Sequence, residues 1–303
     1  MSSGNETLII SEEEIGLRLD QLLTRQFPSY SRTYFQYLIE EGAVLLNGEK
    51  SKKRLKPQIG DEVEVCFLLT PEISLSPEEL PLTILYEDEH MLAINKAPGM
   101  VVHPAPGHPS GTFVNALLYH CKQIADFGDD LRPGIVHRLD KDTSGVLLAA
   151  KTKEMHQKLI HLFSEREIEK TYLAVCVGNP GERTIDAPIG RHPIRRKEMA
   201  VIEGGREAIS RCRTLAKNEE LALVEVQLVT GRTHQARVHL KHINAPVLGD
   251  PIYGSASANK KFEIERQLLH AQRIKFTHPI YQKVLELTAE IPPDMQQYVA
   301  RFQ

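Results

Sequence analysis

The chain has 303 residues, of which 41% are apolar and 25% charged, and its formal net charge is −3 at pH 7. This is the composition of an ordinary globular protein, with no apolar run long enough to span a membrane. The N-terminus lacks the basic flank and apolar core of a secretion signal, so we expect a cytoplasmic protein. Its four cysteines stand far apart without a CxxC pair, which predicts buried thiols and no disulfide framework.

The first part of the chain predicts a small α/β module. We expect residues 1–14 to form an N-terminal tail and residues 15–69 to form the module. Apolar residues at helical spacing within residues 17–27 predict a first helix. Ser31 is a suitable N-cap for a second helix, which Gly42 is placed to end in a left-handed conformation.

A hairpin and a basic segment follow the two helices. The pair Asn47-Gly48 predicts a tight turn between two strands, and the sequence IGDEVEV predicts another strand. One basic run lies here and a second lies later in the chain. Either run alone is as well explained by a solvated loop, but two runs beside other polar motifs favour a polyanionic partner. The two runs are Lys50, Lys52, Lys53, Arg54 and Lys56, and Arg191, Arg195, Arg196 and Lys197.

Residues 70–81 contain three prolines among serine and glutamate, which predicts a linker and a domain boundary. Residues 82–303 then alternate short strands with intermittent helices. This pattern predicts an α+β domain built on a large, mixed, mostly antiparallel sheet with flanking helices. Its clearest elements are strands at 82–96, 145–151, 171–177 and 221–229 and helices at 112–121 and 153–166.

The most informative segment is residues 132–152, where a polar cluster separates a Pro-Gly turn from a buried strand. Asp140 therefore lies on a loop at the mouth of the apolar core, where functional groups are often placed. Arg138 is close enough in sequence to contact this carboxylate or a phosphate. Judged on residue types alone, a surface salt-bridge cluster explains the segment at least as well.

The residues His137-Arg138-Leu139-Asp140, followed by Thr143-Ser144-Gly145, resemble the signature of RNA pseudouridine synthases of the RluA/RluD type. Further motifs in the same order extend the resemblance over nearly the whole chain, which makes it far more specific than one motif. Residues 17–65 resemble an S4 RNA-binding domain. The other matching segments are EKTYLAVCVG, PIGRHPIRRKEMAV, TGRTHQARVH, GDPIYG and LLHA.

The resemblance implies a reaction and roles for named residues. Asp140 would act at C1′ of a flipped-out uridine, as a nucleophile or as a base, and the residues leave this choice open. Tyr172 would pack against the uracil, Arg232 would pair with Asp140, and Arg138 would enter the RNA stack. The isomerisation gains and loses no atoms, so we expect no cofactor or metal.

The resemblance also implies the partner, which is structured RNA and first of all large-subunit 23S ribosomal RNA or a pre-ribosomal particle. Transfer RNA remains an alternative substrate. We expect the S4-like module to bind phosphate, and the second basic loop to contact the same RNA. Nothing in the sequence demands more than a monomer. The RNA-binding residues so predicted are Arg32, Lys52, Lys53, Arg54, Arg195 and Arg196.

Other interpretations remain at this stage. A non-catalytic RNA-binding or assembly factor would need only the S4-like module, and a nucleoside or glycan hydrolase would release a free base or sugar. His234, His239 and His242 do not have the spacing of a helical zinc site. One departure from the family pattern is Ala236, where the motif has a larger aliphatic residue. If Ala236 faces the core, other side chains must fill that volume.

Overall fold

The computed structural model describes residues 5–28, 30, 32–52, 54–67, 75–104, 108, 110–122, 124, 133–195 and 198–302. Ser31, Lys53 and Arg196 lie outside the described residues. The chain divides into two compact units, residues 1–74 and residues 75–303, and the division falls within the segment 70–81. Within the described part of the chain, no helix has both the length and the apolarity to cross a membrane.

Unit 1 combines two helices with a four-stranded antiparallel sheet of order β1-β4-β2-β3. Its apolar core lies between the helices and one face of this sheet. Gly42 follows the second helix with φ 76°, and Asn47 and Gly48 take φ 52° and 78° in the hairpin, as their sequence positions predict. The elements are β1 (Asn5–Ile9), α1 (Leu19–Gln26), α2 (Arg32–Glu41), β2 (Val44–Leu46), β3 (Glu49–Lys50) and β4 (Glu62–Cys66).

The expected tail at residues 1–14 was wrong for most of its length. Asn5–Ile9 pairs with β4 across five residues and forms an edge of the sheet. Ile10 and Glu14 are buried, and Glu14 closes a capping box with Ser11 in the 3-10 turn that follows. The apolar residues of TLII carry this strand, but a single edge strand gives too short an alternation to be recognised with certainty.

Unit 2 contains eleven strands and five helices among its described residues. They are β5 (Ile84–Glu87), β6 (Met91–Lys96), α3 (Phe113–His120), β7 (Ser144–Ala150), α4 (Lys153–Ser164), β8 (Glu169–Val177), β9 (Glu182–Asp186), β10 (Ile189–Arg191), β11 (Met199–Val201), β12 (Ile209–Lys217), β13 (Leu221–Leu228), α5 (Gln235–His242), α6 (Ala256–Lys261), β14 (Leu269–Thr277), β15 (Val284–Thr288) and α7 (Pro293–Val299).

Nine of these strands form one sheet of order β5-β6-β7-β14-β8-β13-β12-β9, with β15 paired to β14. Every pairing is antiparallel except that of β14 with β7, where His270 and Ala271 lie opposite Ser144 and Gly145. Further along, β14 leaves β7 and pairs with β15. The predicted fold class, α+β with a large and mostly antiparallel sheet, is confirmed.

The sheet has a helix-covered apolar core on each face. Helices α3 and α5 pack on one face, while α4, α6 and α7 cover the other. Tyr172, on β8, packs against both clusters of the first face, where β7, β14 and β8 are neighbours. The segment that carries Asp140 leads directly into β7. The central strands therefore bring Asp140 and Tyr172 to the same region of the sheet.

Candidate active site

Asp140 lies on a tight turn immediately before β7. The amide of Thr143 donates to the carbonyl of Asp140 over 3.1 Å, which closes the turn. Gly145 follows with φ 113°, and a Cβ there would lie 2.3 Å from the carbonyl oxygen of Ala271. Only glycine permits this approach of β7 to β14. The Asp140 side chain remains 18% exposed, so the carboxylate is fixed in direction but can reach a substrate.

The first residues of the motif anchor this turn to the core. Nε2 of His137 accepts the amide hydrogen of Leu148 over 2.8 Å, and its ring packs against Phe163. Burial, with the charge of Lys170 as a second cause, lowers the pKa of His137 to about 3, so the imidazole is neutral and able to accept. Leu139 is buried in the core. His137 is therefore a structural residue of the motif.

Arg237, on α5, is the arginine that binds Asp140. Its Nη1 donates to Oδ2 of Asp140 over 2.8 Å, while Nε and Nη2 donate to the two carboxylate oxygens of Asp250 over 2.7 and 3.0 Å. Burial opposes the charge of the guanidinium, but Asp250 and then Asp140 outweigh it and raise the pKa of Arg237. Asp250 is itself buried and accepts the amides of Ile252 and Tyr253. Asp250 therefore fixes the orientation of the Arg237 guanidinium towards Asp140.

The prediction that Arg232 pairs with Asp140 is corrected by these contacts. Nε of Arg232 donates instead to the backbone carbonyl of Glu207 over 2.8 Å. Burial, then the neighbouring charges of Arg206 and Arg166, lower the pKa of Arg232. Arg232 precedes α5 in an irregular segment, whereas Arg237 lies on the buried face of the helix. The arginine of the motif that reaches the carboxylate is therefore the one five residues later.

His234 approaches the other oxygen of Asp140. It begins α5 with a left-handed backbone, φ 57°, and its Nε2 lies 3.8 Å from Oδ1. The hydroxyl of Tyr253 accepts the amide hydrogen of Met199 over 2.8 Å and lies 2.9 Å from Nδ1 of His234, to which it can donate. This order of donors leaves the proton of a neutral imidazole on Nε2, facing Asp140. Burial lowers the pKa of His234, which favours the neutral ring.

Tyr172 lies half-buried between the two apolar clusters that flank the site. Burial first, and the charge of Asp140 second, raise the pKa of its phenol well above the usual value. The ring therefore remains an uncharged, flat apolar surface at neutral pH. Tyr172 and Asp140 lie within electrostatic range of each other.

The predicted RNA-binding residues fall into different environments. Arg138 is exposed, and its side chain makes no ion pair with the described residues. Lys52 and Arg54 are also exposed and line a cleft of about 460 Å³ in unit 1. Arg32 is partly committed, because its Nε donates to Asp20 over 2.9 Å. Arg195 lies in the β10–β11 hairpin, is 57% exposed and contacts Glu198 over 3.3 Å.

The histidines weighed as metal ligands do not converge. His239 uses both ring nitrogens on Ser210 and the carbonyl of Ala187. Elsewhere in the described chain, Glu87, His120 and Cys121 each offer one ligand atom within 4.8 Å of one another. The ammonium of Lys151 lies 2.8 Å from Glu87 and opposes a cation there. Burial raises the pKa of Cys121 to about 11, which disfavours the thiolate ligand.

The sequence did not reveal three residues of the site, namely Arg237, Asp250 and Tyr253, and it did not reveal the role of His234. A signal existed for the first. In the sequence, Arg237 stands between Ala236 and Val238, and an arginine with apolar neighbours in a buried helix is expected to be paired. The segment GDPIYG contains both Asp250 and Tyr253 but gives no indication which helix it faces.

Comparisons with known proteins show which family the chain resembles. A family model described as RNA pseudouridylate synthase matches residues 90–242, and one described as S4 domain matches residues 17–63. The chain is 38% identical over 311 residues to the ribosomal large subunit pseudouridine synthase D of Xanthomonas campestris, covering 99% of this chain and 93% of that protein. It is 40% identical over 305 residues to the protein of the same name from Escherichia coli, covering 97% and 93%.

A solved structure shows the same fold. Human RNA pseudouridylate synthase domain containing 4 superposes with a TM-score of 0.57 at 27% identity, covering 73% of this chain and 92% of that chain. This chain thus shares its fold, over 73% of its length, with a protein named for an RNA pseudouridylate synthase domain. The chain belongs to the RNA pseudouridine synthase family and carries an S4 domain.

Proposed function

We propose that this protein isomerises uridines to pseudouridine in large-subunit ribosomal RNA, with Asp140 as the catalytic carboxylate. One observation carries the assignment. Arg237 holds Oδ2 of Asp140 over 2.8 Å, while Oδ1 accepts no hydrogen bond from the described residues. A carboxylate fixed by one oxygen and open at the other is arranged to act on a substrate atom.

The chemistry follows from this arrangement. Oδ1 attacks C1′ or removes a proton from the ribose, and the N1–C1′ bond breaks with its electron pair on uracil. The base turns and C5 bonds to C1′. In the first case the Oδ1–C1′ bond breaks as the C5–C1′ bond forms and the carboxylate is released, and in the second case the carboxylic acid returns its proton to the ribose. The C5 proton is then lost and N1 gains a proton. Arg237 keeps the carboxylate in one direction throughout. Tyr172 supplies an apolar surface for the uracil, which excludes water and prevents loss of the detached base.

The two compact units support a division of labour in which residues 15–69 bind RNA and residues 82–303 carry the reaction, joined by residues 70–81. Lys52 and Arg54 line an open cleft with Lys50 in unit 1, where they are available to phosphate. Arg138 is exposed next to the site and in electrostatic range of His234. That position suits insertion into the RNA stack at the flipped nucleotide.

Arg232 takes a different place in this proposal. Arg166 and Arg206 are its neighbouring cations, and among the described residues Glu207 is the carboxylate that lies with them. Arg166 binds Glu207 in a two-point contact. We call these three arginines the Arg232 patch. Within the patch, Arg232 precedes α5 and lies two residues before His234. The excess positive charge of the patch is suited to the phosphates that flank the target uridine.

The test is conversion of uridine in large-subunit ribosomal RNA lacking pseudouridine, followed by mapping of the product. We expect Asp140→Asn to lower the rate by about 10⁴-fold or more, because the amide can neither attack C1′ nor act as a base. Asp186→Asn is the matched control, at an exposed aspartate on β9, and should retain most of the activity. Equal conversion by Asp140→Asn and the parent protein would remove Asp140 from the reaction, whereas RNA binding without any conversion by the parent would indicate a non-catalytic RNA-binding factor.

The same assay separates the remaining alternatives. Release of free uracil, with no pseudouridine left in the RNA, would indicate a hydrolase. Conversion of transfer RNA but not of ribosomal RNA would move the substrate assignment while leaving the role of Asp140 intact.

A further inference from the structure

A second functional group lies directly behind the Asp140 turn. Lys96, the last residue of β6, is completely buried. Its ammonium donates to the backbone carbonyls of Ala97, Met100 and Lys141 over 2.8, 3.0 and 2.9 Å. Lysine is almost never fully buried unless a carboxylate pairs with it. Here all three of its protons go to neutral carbonyls, which makes a structural ion pair an insufficient explanation.

These contacts fix the backbone that carries the catalytic carboxylate. The carbonyl of Lys141 accepts two hydrogen bonds, from Nζ of Lys96 and from the amide of Gly99, each over 2.9 Å. The next carbonyl, that of Asp142, accepts Nη1 of Arg266 over 3.1 Å. The backbone amide of Thr143 donates a hydrogen bond to the carbonyl of Asp140 itself. Each carbonyl of the turn is therefore occupied, two of them by cations.

We propose that Lys96 is a positioning residue for Asp140, whose buried ammonium clamps the turn so that the open carboxylate oxygen points at the substrate. The inference rests on the proposed function of Asp140. Lys96 never touches the RNA in this scheme and acts through the backbone of Lys141. Arg266, anchored on Asp294, holds the same turn from its other end.

The clamp requires the charged form of the lysine. An ammonium has three N–H donors, whereas the neutral amine has two and a lone pair that would face a carbonyl oxygen. The charged groups that face Lys96 are Asp142 and Asp140, which favour its protonation, and Arg266, which opposes it. Burial is the largest influence and lowers the pKa of Lys96 to about 7. The clamp is therefore complete below this pH and incomplete above it.

Activity and stability should then respond to pH in opposite directions. As the pH rises above 7, Lys96 loses its proton and kcat falls. Between pH 7 and the ordinary lysine pKa of 10.5, the unfolded chain binds a proton that the folded chain does not, so this group makes folding more favourable as the pH rises. A residue with only a structural role would not couple lower activity to higher stability.

The experiment measures kcat, KM and the thermal midpoint of the full-length protein between pH 6 and 9, for the parent, Lys96→Met and Lys141→Met. Methionine retains the length and apolar volume of lysine without its donors. We expect Lys96→Met to reduce kcat by about 10²-fold with little change in KM, since a displaced reacting group has a cost of this order. Its kcat should no longer fall above pH 7.

Lys141→Met is the matched control, because Lys141 is an exposed lysine in the same turn whose backbone carbonyl is retained. It should keep the parent kcat and the parent pH profile. The proposal fails if Lys96→Met has the parent kcat, or if the decline of kcat above pH 7 persists in that variant.

A readout that does not need the reaction keeps this test separate from that of the proposed function. Hydrogen exchange at the amides of Gly99 and Thr143 reports the clamp directly. Faster exchange in folded Lys96→Met than in Lys141→Met supports the clamp, and equal exchange overturns it. If the parent protein forms no pseudouridine in any RNA, the proposed function fails, and the exchange data alone decide on Lys96.

Discussion

Each unit of this protein contains an aspartate held by arginine, and the two sites differ in how many acceptor positions remain open. In unit 1, Asp20 has a completely buried carboxylate that accepts four hydrogen bonds from Arg18, Arg32 and Gln36. In unit 2, the carboxylate of Asp140 accepts one hydrogen bond from the described residues, that from Arg237, and the side chain is 18% exposed. The residue types are alike, but only the second carboxylate retains an oxygen for chemistry.

The difference shows what distinguishes a structural ion pair from a reactive one. Burial favours the neutral form of Asp20, but the hydrogen bonds from Gln36 and the two arginines outweigh it and lower its pKa. That carboxylate is saturated and ties α1 to α2. At the other site, Asp250 is the carboxylate with several hydrogen bonds, and it accepts from two of the three guanidinium nitrogens of Arg237. Asp250 thus fixes the position of Arg237, and one oxygen of the Asp140 carboxylate remains available to a substrate.

Among changes to the groups that hold these two aspartates, the largest effect is expected at Arg237. Arg237→Lys keeps the charge but loses the planar fork that bridges Asp250 and Asp140. We expect kcat to fall by about 10²-fold while KM changes little, because the carboxylate is no longer held in one direction. Steady-state kinetics on ribosomal RNA measure both constants.

Arg232→Lys is the matched control for that change, since both arginines belong to the segment Thr230–His239. It should leave kcat near the parent value. If Arg232→Lys were the variant with the lower kcat, Arg237 would be structural and the original expectation for Arg232 would be restored.

A smaller effect, on stability, is expected from removing the buried carboxylate of Asp20. Asp20→Ala should lower the free energy of unfolding of unit 1 by about 2 kcal/mol, below the range for a fully buried pair, because Arg18 and Arg32 are partly exposed and can turn to water. Hydrogen exchange of the β4 amides in the intact protein measures it. At saturating RNA, kcat should be unchanged, and a loss of kcat would contradict the structural role.

The pH dependence of the same site has a defined sign. Because the pKa of Asp20 is lowered by folding, its contribution is present at neutral pH and is lost as the pH falls below the ordinary value of 3.8. The difference between the parent and Asp20→Ala should therefore shrink on acidification. A difference that stayed constant as the pH fell well below 3.8 would mean that the charge of Asp20 does not matter.

The sequence predicted the parts of this comparison that depend on local pattern. Helix and strand periodicity indicated the class of both units, and the turn before a buried strand indicated Asp140. The partner of Asp140 could not be read in this way. Arg232 and Arg237 lie in one motif, and the choice between them depends on which residues of α5 face the β7 turn, a contact between segments 97 residues apart.

The same limit applies to Lys96 and to β1. Lys96 looks like the solvated end of a strand, and its burial arises only because the turn of Asp140 folds over it. β1 is specified by its pairing with β4, more than fifty residues away. Residues whose roles come from long-range packing carry little local signal.

The smallest expected effect concerns the Arg232 patch, which extends the comparison from the carboxylates to their surroundings. If Arg206 meets an RNA phosphate, Arg206→Ala should reduce the slope of log Kobs against log salt by about 0.7 to 0.9, and kcat at saturating RNA should be unchanged. Binding to ribosomal RNA at several salt concentrations measures it. Arg273→Ala, at an exposed arginine already paired with Glu286, is the control and should leave the slope as it is. Equal slopes for the parent and Arg206→Ala would remove Arg206 from the RNA-binding surface, and the charge around Glu207 would then serve only to support the start of α5.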